Sequence, residues 1–175
     1  MMSRFLLTLT VLLLFVLEGT VIQFVSPSAW GLSWMTVPRF ALVGTLLVSM
    51  FLGRREGLYY GLAIGLLHDV LYGQVVGLYM MTMMVASYFA GLIVVLFQRG
   101  FAMVFITCGL ILFGHEWLLY SVHRLFATSP IDVRWMLNWQ IIPTTVLNIL
   151  FGLLIYLPMK RLCTAVIARR EIPLE

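Results

Sequence analysis

Six long apolar runs, separated by short polar breaks, cover the chain at residues about 5–25, 38–52, 57–72, 75–97, 101–122 and 139–157. A helix of about 20 apolar residues crosses a bilayer core, so each run predicts a membrane span. The first run continues past Glu18 to Val25. That is longer than a signal-peptide core and lacks a small-residue cleavage site after it, so an uncleaved span is expected. A polar and aromatic break from Ser26 to Thr36 follows, with Trp30 and Trp34 suited to a membrane interface. Pro38 then opens the second run, in a first turn where its missing N–H costs nothing. The third run is short for a hydrocarbon core of about 30 Å. Tight turns are expected at Gly73-Gln74 and Gln98-Arg99-Gly100, and the one substantial loop at His123 to Asn138. The sixth run leads into Pro158-Met159-Lys160-Arg161 and a short tail.

Composition supports this pattern. Hydrophobic residues make up 62% of the 175 and charged residues 10%, with a mean hydropathy of +1.05. A soluble domain is nearer half apolar and a quarter charged. The chain therefore reads as a single all-α integral membrane domain over residues 1–175. Six spans put both termini on one side. That side carries Arg4, Arg54, Arg55, Arg99, Lys160, Arg161, Arg169 and Arg170, eight in all, against Arg39, Arg124 and Arg134, three, on the other. Loops rich in Lys and Arg stay in the cytoplasm, so both termini are expected there, with Asp69 toward the outer half of the membrane. The net charge of +4 is scattered at the ends of apolar runs, unlike a basic stripe that tracks phosphates, so no nucleic-acid partner is expected. Cys108 and Cys163 lie inside apolar runs without CxxC spacing and read as buried thiols.

The densest pattern is Arg54 to Met80, with glycines at 57, 61, 65, 73 and 77 and Asp69 filling the one remaining position of the four-residue ladder. Residues four apart share a helix face. Gly57, Gly61 and Gly65 thus predict a smooth groove with a carboxyl at its end, suited to close backbone approach within the bundle or against a partner. Gly73 and Gly77 fit a turn and the start of the next helix. An acid within a span is costly unless paired or wet, which marks Asp69 as functional by default. A second reading has it capping a turn beside Gly73. Arg39 is a candidate partner for Asp69. His68 points about 100° away around the helix and need not cooperate with it.

Glu18 and Glu116 fall near the outer ends of their spans, where interfacial hydrogen bonding would explain them. His115-Glu116 begins like a zinc-protease HExxH helix, but Leu119 occupies the second histidine's place. No GxSxG elbow, Walker loop or Rossmann fingerprint is present, and no activated nucleophile stands beside a base. Neither catalysis, a metal nor a cofactor is expected. In the sixth span, Pro143 would bend its helix and Asn148 would hydrogen-bond a neighbour.

Three stretches together carry a resemblance: Val37-Pro38-Arg39-Phe40; the ladder of Gly57, Gly61, Gly65, Asp69, Gly73 and Gly77 with Tyr79 beyond it; and Ile142-Pro143-Thr144 with Leu147-Asn148-Ile149, then Leu157-Pro158. In order and spacing the chain resembles the rod-shape-determining MreD family of bacterial membrane proteins over nearly its whole length. The resemblance implies a six-helix bundle similar to the S components of energy-coupling-factor transporters. It also implies a non-enzymatic role in the elongation machinery of a bacterial cell membrane. The implied partners are an MreC-like single-span protein and, indirectly, MreB-like filaments, a RodA-like glycosyltransferase and a penicillin-binding transpeptidase. The residues brought forward as structural or partner-binding are Pro38, Arg39, Gly57, Gly61, Gly65, Asp69, Gly73, Gly77, Pro143 and Asn148. The rival expectation is a substrate-binding component of a vitamin-type transporter. It predicts a pocket near Asp69, Glu18 and the His123–Asn138 loop.

Overall fold

The structure, a computed structural model, describes residues 2–25, 36–73, 76–97, 100–126 and 132–169. The expected turns at Gln74 and Gln98-Arg99, most of the Ser26–Thr36 break with both its tryptophans, and Pro130 lie outside those residues. The helices are α1 (Met2–Val25), α2 (Phe40–Leu52), α3 (Arg54–Tyr72), α4 (Leu78–Phe97), α5 (Phe101–Phe126), α6 (Val133–Met136) and α7 (Ile142–Ala168). A π-helical turn, Leu137–Ile141, joins α6 to α7 in one continuous run. The described residues thus form six helical runs and no strand. Four are long and apolar enough to cross a membrane: Ser3–Val21, Leu78–Phe97, Phe101–Leu125 and Val133–Ala168.

The shortest long element sits at the centre. At 13 residues α2 is about 20 Å long, and every residue from Phe40 to Met50 is buried. A helix that is apolar all round belongs inside. Here α1, α3, α4, α5 and α7 all pack against it. Its two hydroxyls are tied inward: Ser49 donates to the Ser87 carbonyl, and Ser87 donates to Thr45 Oγ1 at 3.2 Å. The periphery is apolar as well. Phe5, Val16, Phe89, Leu110, Leu150 and Leu154 are all exposed, as expected of a surface solvated by lipid.

The closest packing joins α3 to α4 and uses the glycine ladder. A Cβ on Gly61 would lie 2.6 Å from the Met83 carbonyl oxygen; one on Gly65 would lie 2.6 Å from Met80 Cα. Only glycine permits backbones to meet so closely. Gly57 does not share this contact. It faces Ser49 of α2, because each four-residue step turns about 40° around the helix. The expected single groove is therefore split between two neighbours.

Several boundaries differ from the sequence reading, α3 for instance beginning at Arg54 ahead of Gly57. Pro38 precedes α2 by two residues and does not sit in its first turn. The fourth run begins as a helix at Leu78, after Gly77 at φ +101, a backbone conformation that glycine tolerates. The expected long loop from His123 to Asn138 is largely helix, since α5 continues to Phe126 and α6 begins at Val133. Pro158 lies inside α7, which runs to Ala168 because Ile155, Met159, Cys163 and Val166 continue one buried face past it. Pro143 occupies the start of α7. In a regular α-helix its ring would crowd the carbonyl four residues back, and the turn before it is π-helical, Leu137–Ile141, and wider.

Candidate functional site

The polar side chains converge at the end of the bundle where α1, α3 and α5 finish and α2, α4 and α6 begin, called the distal end below. Asn148 of α7 organises the approach to α2. Its Oδ1 accepts the Arg39 backbone N–H at 2.7 Å, and its Nδ2 donates to the Val37 carbonyl at 3.1 Å and the Thr144 carbonyl at 2.8 Å. Thr144 Oγ1 accepts the Val37 N–H at 3.1 Å. The Val37-Pro38-Arg39 segment is thus held against α7, and the first helical bond runs from the Val43 N–H to the Arg39 carbonyl at 3.0 Å. Pro38 has no N–H to leave unsatisfied there.

Asp69 closes α3 onto α4. Its Oδ2 accepts the N–H groups of Gly77 and Met80, and its Oδ1 that of Tyr79, each at 2.9 Å. These belong to Gly77, just before α4, and to the first turn of α4, whose N–H groups lack helical partners. Gly77 precedes that helix and has no side chain to cap it, so the neighbouring helix supplies the carboxylate. The negative charge also faces the positive end of the helix dipole. Gly73 ends α3 by donating to the Asp69 carbonyl at 3.1 Å. Asp69→Asn keeps one acceptor oxygen and loses the charge, so it should cost about 1–2 kcal/mol, and Asp69→Ala more. Thermal unfolding in detergent measures this; two variants as stable as the parent would refute the cap.

Arg39 does not pair with Asp69. Its Nε donates to Glu116 Oε1 of α5 at 2.8 Å, and its guanidinium carbon lies 5.3 Å from the Tyr79 ring centroid. Beside this pair, Glu18 of α1 accepts the Ala41 N–H on Oε2 at 3.0 Å and meets His68 Nε2 through Oε1 at 2.9 Å. His68 Nδ1 lies 3.1 Å from the Ile64 carbonyl, which only accepts, so Nδ1 carries a hydrogen. One further proton must lie in the Glu18–His68 bond, on either atom. Phe15 covers the histidine ring edge-on at 4.7 Å. Glu18, Arg39, His68 and Glu116 are only 2, 7, 2 and 4% exposed, so interfacial hydrogen bonding does not account for the two glutamates.

These four side chains line a cavity of about 430 Å³, completed by Tyr79 and Gln140 among others. It lies near Glu18 and reaches His123 and Met136, but Asp69 does not line it. Among the described residues no three His, Cys, Asp or Glu side chains gather as a metal-ligand set. His115 stands behind the Arg39–Glu116 pair, with Nε2 3.4 Å from Thr82 Oγ1.

The sequence places Glu18, Glu116 and Arg39 alike toward the outer ends of their spans, but it pairs Arg39 with Asp69 and sets His68 aside, where the structure pairs Arg39 with Glu116 and His68 with Glu18. In antiparallel helices, residues equally far from one end of the bundle share a level. That signal picks out all four, although it does not assign the pairs.

A family model described as rod shape-determining protein MreD matches residues 3–166. The chain belongs to that family. The Rod shape-determining protein MreD of Bacillus subtilis (strain 168) is 24% identical over 159 residues, covering 91% of this chain and 92% of the relative. No solved structure matches. Membership of the MreD family assigns a rod-shape-determining role to a structural membrane protein, not an enzyme.

Proposed function

We propose that the chain is a non-enzymatic membrane scaffold of the bacterial elongation machinery. It holds an MreC-like single-span partner and thereby supports side-wall peptidoglycan synthesis. It crosses the cell membrane six times with both termini in the cytoplasm, so the distal end faces outward. The observation that carries this reading, beside family membership, is how the buried acids are used. Glu18, Asp69 and Glu116, the buried acids among the described residues, each bind a group on another element, which fixes helix positions. A rigid bundle with an apolar periphery is what a single-span partner needs to dock against.

Cross-linking in native membranes, followed by identification of the captured proteins, tests this. MreC-like and RodA-like proteins should be recovered. Recovery of an ATPase module in their place would overturn the scaffold reading in favour of a transporter component.

A further inference from the structure

We infer that the distal cavity is a binding site for a small amphipathic molecule bearing a phosphate or carboxylate group. The Arg39 guanidinium would receive the oxyanion. Of its nitrogens only Nε is hydrogen-bonded among the described residues, to Glu116. Neither Nη group has an acceptor among the described residues, and the side chain, 9% exposed, lines the cavity. They open onto the cavity, where a fork of two N–H groups matches a carboxylate or phosphate edge. Glu116 on one side and the Tyr79 ring on another fix the guanidinium, so little further ordering is lost on binding.

The surroundings fit the rest of such a ligand. A volume of about 430 Å³ suits a small molecule, and Tyr72, Leu119 and Met136 offer apolar wall. Glu18 with His68 carries one shared proton and no net charge, and Arg39 cancels Glu116. The lining is therefore close to neutral before a ligand enters. The helix ends that reach the cavity through His123 and Met136 also carry Arg124 and Arg134, both exposed, with Asp132 as the opposing acid. That excess of positive charge draws an anion toward the opening. On the proposed topology the oxyanion comes either from a lipid headgroup of the outer leaflet or from a soluble anion outside the cell.

The test uses the full chain in phosphatidylcholine nanodiscs, with unfolding followed by temperature. The probes are lysophosphatidic acid, inorganic phosphate and a monoacylglycerol of matching chain. The site predicts an upward shift of several degrees with lysophosphatidic acid, with inorganic phosphate, or with both, and none with monoacylglycerol. A response to inorganic phosphate identifies a soluble source; one confined to the lysolipid identifies a lipid. Met136→Trp, which fills the mouth without touching the ion pairs, should abolish the shift. So should Arg39→Gln with Glu116→Gln, which removes both charges together. No shift in the parent, an equal shift with monoacylglycerol, or full shifts in both variants would each overturn the site. Because no partner protein takes part, failure here is distinct from failure of the scaffold reading.

Discussion

Glu116→Gln should lower the unfolding free energy by about 3–5 kcal/mol, while Glu18→Gln should cost less than about 1 kcal/mol. The two carboxylates are equally buried, yet their partners differ. Removing the Glu116 charge leaves the Arg39 guanidinium enclosed, always ionised and facing a neutral amide. Removing the Glu18 charge leaves nothing uncompensated. The amide oxygen still accepts the Ala41 N–H, and its NH₂ donates to His68 Nε2 while Nδ1–H remains on the Ile64 carbonyl. The proton once shared by acid and imidazole is replaced by an amide hydrogen. Unfolding in micelles or nanodiscs measures both effects. Arg39→Gln combined with Glu116→Gln should recover part of the Glu116→Gln loss, as expected for groups that act as a pair. Equal losses at positions 18 and 116 would refute the proton assignment.

Much of the fold was legible because lipid simplifies the code. Apolar length marks a long span, and α4 and α5 lie close to where hydropathy placed them. The reading failed where tertiary contacts overrode local rules. Pro38 looked like a first-turn proline, but the start of α2 is set by Asn148 and Thr144, more than a hundred residues away in sequence. Pro158 looked like the end of a helix, but the buried face through Met159 and Cys163 carries α7 past it. Asp69 could be narrowed to a cap or a functional acid by sequence, and the three N–H groups it accepts at the start of α4 make it a cap. The Arg39–Glu116 and Glu18–His68 pairs were out of reach for a different reason. Helical periodicity says which face of its own helix a residue occupies, and nothing about which face of another helix it meets. His68 was judged only against its sequence neighbour Asp69, whereas its partner came from α1.

Gly65 carries the other large expected effect, and Gly114 provides its internal control. The α3 and α4 backbones touch at Gly65, where a new Cβ would stand 2.6 Å from Met80 Cα and 2.7 Å from the Tyr79 carbonyl oxygen. Backbone cannot rotate aside as a side chain can, so Gly65→Ala should cost about 1–3 kcal/mol by overpacking. Gly65→Leu should prevent the α3–α4 hairpin from closing. The damage would spread, because Met80 and Tyr79 are also the residues whose N–H groups Asp69 caps. Pushing α4 away at Gly65 removes the cap one turn further along α3. Substitutions at 65 and 69 should therefore be strongly non-additive, with Asp69→Asn adding little once Leu is present at 65. Gly114 sits in the interior of α5 with nothing within 4 Å of its added Cβ. There Ala should be neutral or stabilise by up to about 1 kcal/mol, as a glycine released from a helix interior does. Unfolding curves for the three variants and the 65/69 double mutant separate close packing from glycine's general cost in helices. A Gly65→Ala protein as stable as Gly114→Ala would show that the hairpin has slack the geometry denies.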